Sequence, residues 1–333
     1  MKALKIFLGI LLCLLIIFLL GPKVEAPSLA INTSQKNTDP RNLDSYITNL
    51  EAQHPNIKPG NEAEIVWANP SKNTTAYSVV YLHGFSASHE EGSDLYSNFA
   101  KRYGANLYLT RLQGHGIKDE DYAMGELTAD GLIQSAYDAI QIGKTLGNKV
   151  IVLSCSTGST LTLYLASLNN DIYALFNYSA NVDIVATESL VFTKPWGMQI
   201  AKMLSGSDYH EWEAPAEAKK YWNTKYPLEA LAQLRYLLDY TMTKATFAKI
   251  KQPVFNAYYN DDQTVSVEAI KKMHEQLGSQ KKELVAFPKA GSHMMISKIY
   301  TEDMDAILAA TFQFAEEVVG MKVVEELIPI GIK

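Results

Sequence analysis

The sequence predicts an α/β fold: a mainly parallel sheet with helices on both faces and a helical cap inserted late in the chain. Three observations carry this. Between Ala63 and Val319, short β-branched and aliphatic runs alternate with amphipathic stretches, the pattern of parallel strands joined by helical crossovers. The run beginning at Lys149 stops abruptly in small residues, Ser154-Cys155-Ser156-Thr157-Gly158, and is followed by a helical stretch from Ser159 to Leu168, so a buried strand feeds directly into a helix. Finally, about seventy residues separate the strand ending at Tyr178 from the next one at Pro253, whereas a bare strand-helix-strand unit needs roughly thirty in all.

The N-terminus is a different kind of sequence. Lys2 and Lys5 precede an apolar run from Ile6 to Leu20 that Gly21 and Pro22 close, the form of an export signal. As a helix its fifteen or so residues span roughly 22 Å, short of a ~30 Å hydrocarbon core. A cleaved signal peptide and a short uncleaved anchor both fit. The anchor is favoured, because Pro27 follows the small-residue site Val24-Glu25-Ala26, and Leu12 before Cys13 is too large for a lipoprotein signal. Positive charge ahead of the run places the rest of the chain outside the cytoplasm, with the membrane as a partner through this segment. The expected organisation is then a signal or anchor at 1–22, a linker at 23–42, a core at 43–181 and 250–333, and the cap at 182–249.

Across 333 residues, 47% are hydrophobic, ample for a full core, and a net charge of -6 gives no electrostatic reason to expect nucleic acid. With Cys13 in the apolar segment, Cys155 has no soluble partner for a disulfide. Pro27 to Pro40 is rich in Asn, Ser, Thr and Pro and reads as linker. Leu43 to Gln53 suits a short helix that Pro55 to Gly60 ends. Strands are expected at Ala63–Ala68, Ser78–Leu82, Asn106–Leu112, Ala174–Tyr178, Pro253–Tyr259 and Glu283–Phe287. Between them, helices are expected at Asp94–Tyr103, from a Thr128 cap to Leu146, at Ser266–Leu277 and at Asp303–Val319. Gly143-Lys144-Thr145 imitates the end of a phosphate-binding loop, but the required first glycine falls at Asp138 inside a helix. Neither a cofactor nor a metal is expected.

In such a sheet, side chains that meet at one site come from the C-terminal ends of different strands. Ser156 lies in a small-x-Ser-x-Gly turn, where a strained strand-to-helix corner lifts one side chain clear of the sheet. Asp262 follows a later strand and His293 follows the last. A serine hydroxyl is a weak nucleophile at neutral pH, so a histidine must take its proton and return it to the leaving group, and a carboxylate must orient that histidine. Asp261 adjoins Asp262 and Asp183 follows an earlier strand, so both remain alternatives for the acid. The amides of Phe85, in His83-Gly84-Phe85-Ser86 directly after a buried strand, and of Thr157, after the nucleophile, would hold the developing oxyanion. Cys155 is a stronger nucleophile in principle, but centring the turn on it makes Leu153 and Thr157 the flanking residues, too bulky for the corner. The remaining histidines, His54, His83, His89, His115, His210 and His274, read as structural or surface residues.

With Tyr81-Leu82-His83-Gly84-Phe85, Arg111-Leu112-Gln113-Gly114-His115-Gly116, Ser154-Cys155-Ser156-Thr157-Gly158, Asp262-x-x-Val265 and Gly291-Ser292-His293 in hand, the chain resembles the serine α/β-hydrolases of the monoacylglycerol lipase, carboxylesterase and serine aminopeptidase-like (lysophospholipase-like) group. The matching pieces span Ala63 to Phe314. One departure is Ser154, where that group usually has Gly. The resemblance implies an α/β-hydrolase fold and the order serine, acid, histidine, with Ser156, Asp262 and His293 as the triad. It also implies a hydrolase cleaving small-molecule carboxylic esters through an acyl-enzyme. An aminopeptidase or amidase using the same triad is the first alternative, and a non-catalytic binding protein of this fold the second. The cap carries Trp196, Met198, Met203, Tyr209, Trp212, Tyr221, Trp222, Tyr226, Tyr236 and Tyr240. An apolar roof of this kind favours uncharged acyl esters of short to medium chain.

Overall fold

A computed structural model describes residues 2–34, 39, 42–54, 56–118, 123–169 and 171–324; Pro40, at the end of the expected linker, and Pro55 lie outside them. The strands are β1 (Glu64–Val66), β2 (Ser78–Leu82), β3 (Asn106–Leu109), β4 (Val150–Cys155), β5 (Ile172–Tyr178), β6 (Tyr209–Glu211), β7 (Lys225–Pro227), β8 (Val254–Tyr258) and β9 (Lys282–Ala286). The helices are α1 (Lys2–Leu19), α2 (Leu43–Glu51), α3 (Ser93–Tyr103), α4 (Ala129–Leu146), α5 (Thr157–Leu168), α6 (Gly197–Ser205), α7 (Ala216–Lys219), α8 (Leu228–Thr241), α9 (Lys244–Lys249), α10 (Val267–Gln276) and α11 (Met304–Phe314). Seven strands form one sheet in the order β1-β3-β2-β4-β5-β8-β9. All neighbours in it are parallel except β1, which runs antiparallel to β3.

The central strands read as continuous apolar runs because both of their faces are buried. Along β2 and β4, Val79, Tyr81, Ile151, Leu153 and Cys155 turn to one face, packing with Phe99 of α3 and Ile307 and Phe314 of α11. The alternate residues Val80, Leu82, Val150 and Val152 turn to the other, against Ile140 of α4, Leu161 of α5 and Ile270 of α10. This two-residue alternation makes three layers of one strand sequence. Side-chain oxygens cap some of the helix starts: Thr128 accepts from Gly131 N–H at 3.0 Å and Ser266 from Ala269 N–H at 3.2 Å.

The expected strand from Asn106 to Leu112 ends early, at Leu109. Beyond it the chain bonds sideways: Thr110 donates its hydroxyl to the Tyr81 carbonyl at 2.7 Å, and His83 Nε2 accepts the Leu112 N–H at 3.1 Å. The expected final helix runs as α11 and then loosens into a π-helical turn, Ala315–Val319.

The stretch between β5 and β8 contains α6 to α9 and a small antiparallel hairpin, β6-β7. Its later part belongs with the core, since Ala230, Leu234, Leu237 and Phe247 of α8 and α9 share a cluster with Leu161 and Ile270. Its earlier part packs locally, with Met198 and Ala201 of α6 against Leu228 and Ala232.

Helix α1 has 18 residues and every described side chain from Leu4 to Leu20 is exposed. At 1.5 Å per residue it rises ~27 Å with Lys2 and Lys5 in its first turn. Among the described residues no helix is long and apolar enough to cross a membrane. The chain that follows lies along the body: Pro22 O accepts the Trp196 N–H, Val24 O accepts the Tyr236 hydroxyl at 3.0 Å, and Asp130 accepts the Ser28 and Leu29 amides at 2.9 and 2.7 Å.

Candidate active site

Strand β4 delivers Ser156 into a corner with φ 50° and ψ -116°. For a residue with a Cβ this left-handed value stores strain on the order of 1–3 kcal/mol. What holds it is close packing on either side. A Cβ on Gly158 would lie 2.0 Å from the Leu82 carbonyl oxygen, so only glycine lets α5 approach the end of β2. The position two before the serine need not be glycine here. Ser154 Oγ donates within reach of Ser159 Oγ and Asn177 Oδ1, at 3.1 and 3.0 Å, and Asn177 in turn donates to Asn256 at 2.9 Å. A buried polar chain therefore crosses β4, β5 and β8 beneath the corner.

The loops after β8 and β9 bring the other two candidates to it. His293 Nδ1–H donates to Asp262 Oδ2 at 2.7 Å, and Ser156 Oγ–H donates to His293 Nε2 at 3.0 Å. Asp262 is buried, and its second oxygen accepts the Thr264 and Val265 amides at 2.8 and 3.0 Å. The Asp-x-x-Val spacing is thus a loop wrapped around a carboxylate. Burial works against the Asp262 charge, but the His293 hydrogen bond and charge, with the two amides, more than offset it and hold the carboxyl below its ordinary range. The alternatives for the acid fall elsewhere: Asp261 is exposed, and Asp183 pairs with Arg235 at 2.6 Å.

Cys155 points to the opposite face of the sheet, wholly buried, and burial followed by the charge of Glu91 pushes its thiol well above its ordinary range. A thiol held in that form is a poor nucleophile. The Phe85 and Thr157 amides meet no acceptor among the described residues. Phe85 sits in a turn closed by Ala87 N–H onto Gly84 O at 3.3 Å, with Ser86 at φ 62°.

Two histidines buttress this turn without reaching the triad. His83 is fully buried, donating from Nδ1 to the Gly84 carbonyl at 2.9 Å, and His115 packs edge-on against both His83 and Phe85. Burial lowers both, His83 well below its ordinary value and His115 to about 4. From above, the cap clamps the same turn. Asn223 donates its N–H to Ser86 O at 2.7 Å and its side-chain amide to Ile117 O at 2.8 Å, while its Oδ1 accepts the Gly116 N–H at 3.1 Å. Tyr226 stacks edge-on against the Phe85 ring at 5.5 Å.

Of the aromatic and methionine side chains expected in the cap, Trp222, Tyr226 and Tyr236 are buried in packing, whereas Trp196, Met203 and Tyr240 are exposed. A separate cavity of about 1140 Å³ between α2 and α4, lined by Tyr46, Glu51, Arg111 and Gln141, includes none of the triad side chains. Sequence reasoning passed over Glu91 and Asn223. Both make contacts, with Gly84 and with Ser86, that exist only in the folded chain.

No protein-family model matches the chain. Over 209 residues it is 29% identical to the thermostable monoacylglycerol lipase of Bacillus sp. (strain H-257), covering 62% of this chain and 79% of that protein. Among solved structures it is similar to the metagenome-derived lipolytic enzymes LipS and LipT, at TM-score 0.65 and 18% identity over 78% of this chain and 99% of that one. Est1E from Butyrivibrio proteoclasticus with ferulic acid bound matches at TM-score 0.55 and 17% identity over 78% and 95%. At these identities the structures speak for the fold.

Proposed function

We propose that this chain, an α/β-hydrolase that groups with the monoacylglycerol lipases and carboxylesterases, cleaves carboxylic esters through an acyl-enzyme on Ser156. The observation that carries the reading is the unbroken hydrogen-bond chain from Asp262 through His293 to Ser156. It is the arrangement that acyl transfer demands. Ser156 Oγ attacks the ester carbonyl carbon as its proton passes to His293 Nε2, and Asp262 stabilises the resulting imidazolium. The carbonyl oxygen takes on the negative charge between the Phe85 and Thr157 amides, each donor contributing about 3 kcal/mol to the transition state. As the tetrahedral intermediate collapses, the alcohol leaves with the proton from Nε2. Water then attacks the acyl-enzyme by the same route, releasing the acid and restoring the serine.

An uncharged acyl ester is the substrate class that the aromatic cap favours. The exposed apolar helix α1 supports an export segment that engages a membrane, with the hydrolase body on the extracytoplasmic side. Labelling with a fluorophosphonate probe together with p-nitrophenyl ester turnover tests the activity. Both are expected in the wild type and absent in a folded Ser156→Ala variant. A wild-type protein that neither labels nor turns over esters refutes the reading, and peptide turnover without ester turnover replaces it with an aminopeptidase.

A further inference from the structure

We propose that Glu91 is a positioning residue for the oxyanion side of the site: its buried carboxylate holds the Gly84 N–H and so aims the next amide, that of Phe85, at the ester carbonyl oxygen. The proposal rests on the esterase reading above and extends it to a side chain outside the triad.

Glu91 stands in the short 3-10 turn His89–Gly92 that follows the oxyanion loop, and it is 2% exposed. No lysine or arginine pairs with it among the described residues. An ionisable group buried without a cation is costly, and burial pushes the Glu91 carboxyl above its ordinary range; such a group persists where donors converge on it and act against that shift. Here they do. Its Oε2 accepts the Gly84 N–H at 2.8 Å and the Tyr81 hydroxyl at 3.0 Å. Tyr81 lies on β2 behind the site, so the carboxylate is tied to the sheet on one side and to the loop on the other.

The loop is thin where Glu91 touches it. A Cβ added to Gly84 would fall 2.9 Å from Glu91 Oε1 and 3.3 Å from Ser156 Cβ. A single glycine is therefore all that separates the carboxylate from the nucleophile. With the Gly84 N–H drawn down to Glu91 and the Ser86 carbonyl drawn up to Asn223 at 2.7 Å, the peptide between them has both ends tied. The Phe85 N–H, left without an acceptor, is the group that this double tie presents. Preorganised donors of this kind stabilise charge because they need not turn at the moment of reaction.

Glu91→Gln keeps the shape and one acceptor while removing the charge, and Tyr81→Phe removes one of the groups that orient the carboxylate. Steady-state turnover of p-nitrophenyl butyrate and hydrogen exchange of the 83–88 segment are measured on the full chain. For Glu91→Gln the expected result is a kcat lower by about tenfold to a hundredfold with KM within about threefold, and faster exchange in that segment. Tyr81→Phe should show the same pattern severalfold more weakly. Unchanged kcat, unchanged exchange, or a loss confined to KM in Glu91→Gln overturns the proposal. If Glu91→Gln fails to fold, Tyr81→Phe decides by the same two readings. A wild type without ester turnover removes the esterase reading alone, since exchange of the 83–88 segment still decides whether Glu91 holds the loop.

Discussion

Ser156 and Cys155 are neighbours with opposite fates, and the pleat of β4 separates them. Successive strand residues face opposite sides; the corner after the strand then turns Ser156 toward His293, while Cys155 stays packed beside Phe176 and Tyr178. Cys155→Ala is accordingly expected to keep most ester turnover and all probe labelling, in contrast to Ser156→Ala; a cysteine variant as dead as the serine variant would show that the thiol takes part in the chemistry. At this scale the meeting of Ser156, Asp262 and His293 was legible, because residue type, chain order and small flanking residues all bear on it. Ser154 was legible only as a departure. Its accommodation depends on Ser159 and Asn177, and the second of these comes from the adjacent strand. Glu91 was not legible at all, since only the fold shows that it is buried while its neighbour Glu90 pairs with Lys298.

Elements long enough to bury a face were readable from their pattern, and those held by neighbours were not. Strands β2, β4, β5 and β8 fall within two residues of their expected bounds because each is a largely buried run, and β9 does so too although its residues are only half-buried or exposed. The hairpin β6-β7 escaped notice, since three-residue strands ending in Pro227 carry no periodicity and exist through pairing with one another. The direction of β1 is likewise set by its partner β3 and not by its own residues. The part of the insertion nearest the site, from Asn223 to Tyr226, packs against the Phe85-Ser86 turn. If its aromatic side chains roof an acyl pocket, each methylene that enters is worth roughly 0.8 kcal/mol, or about fourfold in kcat/KM. Across p-nitrophenyl acetate, propionate, butyrate and hexanoate, kcat/KM is expected to climb by steps of that order and then level off. Indifference to acyl length, or a requirement for a free amino group on the substrate, would remove the acyl-pocket role.

For the molecule as a whole, the two buried histidines behind the oxyanion turn make stability depend on pH. An unfolded histidine binds a proton near pH 6.5, whereas burial holds folded His115 neutral down to about 4 and lowers His83 well below its ordinary value. Between those limits the unfolded chain binds more protons, so stability is full above about pH 6.5 and is lost as pH falls toward 4, by on the order of 3 kcal/mol for His115. Thermal melts of wild type and His115→Gln at pH 7 and 4.5 check this: the variant's loss of Tm on acidification should be the smaller, and equal losses would contradict it. Placement in the cell is a property of the whole chain too. With α1 intact the protein is expected in the membrane fraction with its body open to external protease, and a chain starting at residue 23 should be soluble; equal partitioning of the two would dismiss α1 as a membrane segment. Asn223 has one further consequence. Because a single residue of the insertion grips both the Ser86 carbonyl and the Gly116-Ile117 backbone, moving that part of the insertion away breaks a bond that shapes the Phe85 turn. If the Phe85 amide holds the oxyanion as proposed, an opening wide enough to break these bonds would loosen that donor as well, and substrate exchange and catalysis would be coupled.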